Sequence, residues 1–108
     1  MAPGKLANTV EPPHPGTLVH KFNGYERLDS LAVDSEGNVV VATLEAGCLT
    51  AIRPDGSIRA QIPVPEYDPM VTNVCFGGED LKTAYVTSSG LGRLYAIDWF
   101  CPGLKLEF

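Results

Sequence analysis

Long apolar runs are missing from this chain of 108 residues, and with them any segment of the roughly 20 residues that a membrane helix requires. The opening MAPGKLANTVEPPHPG has no apolar signal core either, so no membrane partner is expected and a cytoplasmic location is. Positive charge is scarce: eight Lys and Arg against thirteen Asp and Glu leave a formal charge of -5, the wrong sign for a nucleic-acid partner. The three cysteines, Cys48, Cys75 and Cys101, are odd in number and form no C-x-x-C pair. That pattern suggests neither a disulfide framework nor a zinc site, and leaves buried, reduced thiols as the expectation. His14 and His20 have no partner at ligand spacing, and no Ser, Cys or Asp arrangement suggests a triad. Helical periodicity is absent throughout.

What the chain does have is a succession of short β-rich runs. Residues 1–16 form an irregular arm, with Pro3, Gly4, Pro12, Pro13 and Pro15 closed by Gly16. From residue 17 onward, runs rich in Val, Ile, Thr, Tyr and Phe are separated by turn clusters such as DSEG, RPDG, EYDP and GGED. The second half repeats the first. LDSLAVDSEGNVVVAT answers VTNVCFGGEDLKTAYVTS, placing Asp29 on Thr72, Leu31 on Val74 and Val33 on Phe76, and Thr43 on Thr87 after a one-residue insertion. GCLTAIRPDG then answers GRLYAIDWFCPG, with Leu49 on Leu94.

An offset of 43 to 45 residues with four short strands per unit is the period of a β-propeller blade. The expected class is all-β, a partial β-propeller over residues 17–108. It comprises an outer strand at 17–22, a full four-stranded blade at 29–64 and a three-stranded blade at 72–98, about two and a half antiparallel blades. A closed ring takes on the order of 170 residues, more than this sequence holds.

Asp29 raises the functional question. It stands at the mouth of an apolar strand, where a carboxylate must reach water, a donor or a cation, because an unpaired charge taken into an apolar interior costs several kcal/mol. It serves there either as a turn cap or as a group facing a central channel. Thr72, its counterpart in the next blade, lines the same channel as the candidate substrate contact; a structural strand threonine is the alternative. Asn73 points away from it by strand alternation. Glu45 shares the rim of Asp29, either as a substrate contact or as a solvated loop acid. Asp34 and Asp55 read as turn residues, and Trp99 and Phe100 as the cover of an edge.

D-S-L-A-V-D-S-E-G-N at 29–38, T-N-V-C-F-G-G at 72–78 and G-R-L-Y-A-I-D at 92–98, with the ending PGLKLEF, resemble the C-terminal part of the gluconolactonase and regucalcin family. The resemblance implies a six-bladed propeller with a divalent cation at its centre that hydrolyses sugar lactones. It makes Asp29, with Ser30 in place of the commoner glycine, both a metal ligand and the group that handles the proton of the attacking water. Calcium is the expected ion, with zinc, magnesium and manganese as alternatives. The family's other ligands, a glutamate near its N-terminus and an asparagine of a middle blade, have no matching positions here. The expectation is therefore a fragment of a divalent-metal-dependent sugar-lactone hydrolase with little or no turnover by itself. The alternative is a non-enzymatic propeller piece that self-associates through exposed strand edges.

Overall fold

The computed structural model describes residues 16–105, so the arm of residues 1–16, Gly16 apart, and His14 within it lie outside the described residues. Seven strands follow: β1 (Leu28–Val33), β2 (Val39–Thr43), β3 (Cys48–Ile52), β4 (Ile58–Pro63), β5 (Val71–Gly77), β6 (Thr83–Ser88) and β7 (Arg93–Asp98). A single 3-10 turn, Glu79–Leu81, interrupts them. The strands form two antiparallel meanders in chain order, β1-β2-β3-β4 and β5-β6-β7, the architecture of two neighbouring propeller blades.

Sequence pattern explains which strands lie deepest. NVVVAT and CLTAI lack the polar alternation of a half-exposed strand, and both β2 and β3 are buried on both faces. Val40, Ala42, Leu49 and Ala51 point to the second sheet and meet Val74, Val86 and Ala84 in one core. On the opposite face the buried hydroxyls pair with each other, Thr43 Oγ1 to Thr50 Oγ1 at 2.8 Å, which removes the cost of burying them alone. β5 packs against β1 and β2, joining the two sheets through their first strands.

Register confirms the repeat and corrects its phase. Leu28 pairs with Thr43 and Val71 with Ser88, while Leu49 pairs with Ala42 and Leu94 with Thr87. The offset is thus 43 in the first strand of each sheet and 45 in the second and third, so Thr43 corresponds to Ser88 rather than to Thr87. The difference arises in the first turn, where 34–38 is answered by 77–83, two residues longer. A slip of one residue would have turned every side chain to the wrong face.

Residues 17–22, expected as an outer strand, form no ladder here. A strand needs a neighbour, and among the described residues nothing before them supplies one. They lie instead by the β3–β4 turn, where His20 Nδ1 is 2.8 Å from the Gly56 carbonyl oxygen.

Asp34 joins the sheets. Its carboxylate is fully buried and accepts hydrogen bonds from Glu36 N (3.0 Å), Asn38 N (2.9 Å), Asn38 Nδ2 (2.9 Å) and, across the molecule, Trp99 Nε1 (3.0 Å). Around it, Ser35 N donates to Pro102 O and Leu104 N to Val33 O, and Asp34 forms a bridge with Gly103. Trp99, read as an edge cover, is therefore a buried tie between blades. Burial by itself would raise the Asp34 pKa, but the donors on Trp99 and Asn38 outweigh it and hold the group below the ordinary carboxylate range.

Trp99→Phe keeps the ring and removes one donor from a buried carboxylate. It is expected to cost about 1.5–3 kcal/mol, read as a lower urea midpoint. Because the folded pKa of Asp34 lies below its unfolded value, its contribution is complete above about pH 5 and is lost as pH falls through the folded value. The wild-type urea midpoint should therefore decline below about pH 4, and Asp34→Asn should start lower but decline less steeply.

Candidate functional site

The first strands of the two sheets share an irregularity at the same place. Leu28 pairs with Thr43 and Leu31 with Val41, so Asp29 and Ser30 together stand opposite Ala42. Val71 pairs with Ser88 and Asn73 with Thr87, which leaves Thr72 as the additional residue. Each is a β-bulge, a device that bends a strand and re-aims a side chain. Asp29 and Thr72 are thus equivalent in structure as well as in sequence.

Their surroundings differ. Asp29 is exposed, and its carboxylate makes no hydrogen bond or ion pair among the described residues. Thr72 is half-buried, with its hydroxyl 2.9 Å from Thr87 Oγ1 and 2.7 Å from Ser89 Oγ. A hydroxyl has one donor and two acceptor positions, so one position remains for a ligand or water. Asn73 turns back on the chain, its Oδ1 accepting from Val74 N at 2.8 Å.

Glu45 fixes the approach to Asp29. Its carboxylate accepts from the backbone N–H of Arg27 at 2.8 Å and from the Arg27 guanidinium, and Leu44 N donates to Arg27 O at 2.9 Å. The Arg27 backbone N–H, together with the guanidinium, holds the Glu45 pKa below its ordinary value. Tyr67 OH donates to the Glu45 carbonyl at 2.7 Å, tying in the β4–β5 connection. Glu45 is thus committed to positioning the mouth of β1 rather than left free as a loop acid.

Asp68 was not singled out by sequence reasoning. It is fully buried and accepts from Ser88 Oγ (2.5 Å), Met70 N (2.8 Å) and Leu91 N (2.9 Å), pinning the start of β5 to the β6–β7 turn. The Ser88 hydroxyl, followed by the backbone donors, lowers its pKa. The Asp-Pro step in EYDP and the bond to Met70 N, two residues on, form a local turn signal. The partners 20 and 23 residues away leave none. Asp55 is a turn residue as expected, accepting from Ser57 N at 2.9 Å.

Between β1 and β5 lies an apolar groove of about 740 Å³, lined by Leu31, Val33, Val74, Phe76 and Leu104 among others. Neither Asp29 nor Thr72 lines it. Of the thiols, Cys48 and Cys101 are buried, and burial pushes both pKa values up, but Cys75 is exposed. It lies between the core residues Val74 and Phe76 along β5 and borders the groove, so the expectation of three buried thiols fails at that residue.

A hard divalent ion takes about six to eight oxygen ligands. Among the described residues no three His, Cys, Asp or Glu side chains converge on one point, so Asp29 is a single carboxylate and not a coordination set. No chemical step through a metal follows from these residues alone.

Two adjoining antiparallel meanders, one of four strands and one of three, each with a bulged first strand, define a propeller-blade protein. Residues 6–90 match the SMP-30/Gluconolactonase/LRE-like region, and the chain belongs to that family. It is 42% identical over 67 residues to the 6-deoxy-6-sulfogluconolactonase of Pseudomonas putida, covering 62% of this chain and 22% of that protein. It is 40% identical over 62 residues to the pentonolactonase XacC of Haloferax volcanii, covering 57% and 21%. Against the regucalcin of Danio rerio the identity is 34% over 65 residues, covering 59% and 21%. The chain thus spans about a fifth of the length of these relatives.

Gly90 tests the Asp68 tie. A Cβ added there would stand 2.4 Å from Asp68 Oδ1, so Gly90→Ala must push a buried carboxylate off its donors. A loss of about 2 kcal/mol or more is expected in urea unfolding.

Proposed function

We propose that this chain supplies one wall of the active site of a divalent-metal-dependent sugar-lactone hydrolase. In this reading Asp29 is a metal ligand and the group that handles the proton of the attacking water, and Thr72 is a substrate contact beside it. The observation that carries the reading is the pair of matched β-bulges, which hold an exposed, unpartnered carboxylate on one first strand and a hydroxyl with spare hydrogen-bonding capacity on the next. The two lactonase relatives support the substrate class. Calcium is the proposed ion, because a carboxylate and hydroxyls are hard oxygen donors and the described thiols and imidazole lie elsewhere. Three free cysteines suit a cytoplasmic setting.

With one carboxylate the chain by itself is proposed to bind the ion weakly and to turn over lactone no faster than background. Calcium titration followed by amide NMR should shift Leu28–Leu31, with half-saturation in roughly the millimolar range, and Asp29→Ala should abolish the shift. No response around Asp29, or a response unchanged by Asp29→Ala, would remove the metal-ligand assignment. Lactone hydrolysis by the isolated chain above background and sensitive to Asp29→Ala would show the site to be more complete than proposed.

A further inference from the structure

An exposed aromatic ring that is nevertheless held in place stands at the rim where β1 begins. Tyr67, in the β4–β5 connection, is 62% exposed. Its hydroxyl donates to the Glu45 carbonyl at 2.7 Å. The Cδ1–Cε1 side of its ring lies against Gly47, where a Cβ would stand 3.0 Å from both of those atoms and 2.8 Å from Asp68 O. The next residue, Asp68, is the buried acid whose donors pin this stretch to the start of β5 and to the β6–β7 turn. Backbone and ring are thus both fixed, while much of the ring stays open to solvent. A side chain ordered in advance binds without the cost of being immobilised, and the electron-rich face of an aromatic ring attracts polarised C–H groups.

Arg27 supplies polar donors at the same place. Tyr67 and Arg27 are bonded to one residue, Tyr67 through the Glu45 carbonyl and Arg27 Nε through the Glu45 carboxylate. With Nε engaged, the two terminal nitrogens of the guanidinium make no hydrogen bond among the described residues, and the side chain is 51% exposed. Planar donors near an aromatic ring suit a ligand with oxygens around its edge and C–H bonds on its face. A sugar ring has both. Asp29 follows Arg27 by two residues.

We propose that Tyr67 and Arg27 form a carbohydrate subsite at the rim of the Asp29 site. Tyr67 stacks on the C–H face of a cyclic sugar, and Arg27 donates to its oxygens. Glu45 is a positioning residue there, since it is bonded to both groups that touch the sugar. The proposal rests on the lactonase reading for its class of substrate and narrows it to sugars in ring form. Hydrolysis opens a lactone ring, and the open-chain acid no longer presents a rigid C–H face, so the subsite favours substrate over product.

The test needs neither metal nor turnover. Saturation-transfer NMR is run on the full chain in EDTA with methyl β-D-glucopyranoside, a ring that does not open, at up to about 50 mM. Transfer should concentrate on the axial hydrogens of one ring face, with little to the open-chain polyol sorbitol at the same concentration. Tyr67→Leu keeps an apolar cover over Gly47 without an aromatic face and should weaken binding about tenfold or more, whereas Tyr67→Phe keeps the ring and should lose less. Absent transfer, transfer spread evenly over both faces or equal to sorbitol, or binding unchanged by Tyr67→Leu overturns the subsite. Binding that appears only when calcium replaces EDTA overturns it too, because it would belong to an ion at Asp29. A sugar signal that persists in EDTA while calcium produces no response at Asp29 would remove the metal-ligand assignment and leave the subsite standing.

Discussion

The buried carboxylate of Asp34 is the constraint on which the relation of the two sheets depends. Three of its donors come from its own turn, and the fourth is Trp99 Nε1, 65 residues away. An acid buried without sufficient donors costs several kcal/mol or takes up a proton. The β1–β2 turn can therefore keep its ionised Asp only while the segment after β7 stays docked. That segment, in turn, is bonded to the first sheet through Leu104 N to Val33 O and Ser35 N to Pro102 O, and to the β5–β6 turn of its own sheet through Trp99 N to Lys82 O and Gly103 N to Leu81 O. Apolar burial between the sheets is larger in area but non-directional. Asp34 and its backbone seam select one alignment of blades from the many that the same apolar faces would tolerate.

The opposite end of β1 is held by different means. Arg27 and Glu45 form an exposed pair, the kind worth little in isolation. Its value lies in the geometry it shares with two backbone bonds at Arg27, which determine where the chain enters the bulge at Asp29. In the second sheet Asp68 does the same for Thr72 with a buried carboxylate, bonded to Ser88 and Leu91. The two mouths are thus positioned by unrelated side chains around a common backbone device. This is why the bulges repeat while their supports do not.

Class and repeat were legible because they rest on short-range chemistry. Turn residues at DSEG and RPDG, and the β-branched runs between them, are the local signals from which the all-β class was read. The phase of the repeat was not. NVVVAT and TAYVTS fit each other almost equally well at two offsets, and only ladder pairing shows that Thr43 matches Ser88. Asp34 read correctly as a turn residue, but the role of Trp99 did not follow, since nothing local to either residue encodes a bond across 65 positions. Asp68 was hidden for the same reason. The outer strand at 17–22 failed differently: the β pattern is present, but a strand exists only with a neighbour.

The acids of this small fold occupy similar positions in sequence and reach different states. Asp34 and Asp68 are buried and fully supplied with donors, and their lowered pKa values follow from that supply. Glu45 is satisfied by Arg27. Asp29, at the most regular landmark of the repeat, is left without a donor, although the equivalent Thr72 finds two hydroxyl partners within 3 Å. Water satisfies an exposed carboxylate, so exposure alone assigns Asp29 no role, and Asp80 and Asp98 are exposed acids too. What distinguishes Asp29 is its place at a β-bulge that recurs at Thr72 on the first strand of the next sheet. The reading of it as a ligand rests on that recurrence and on kinship.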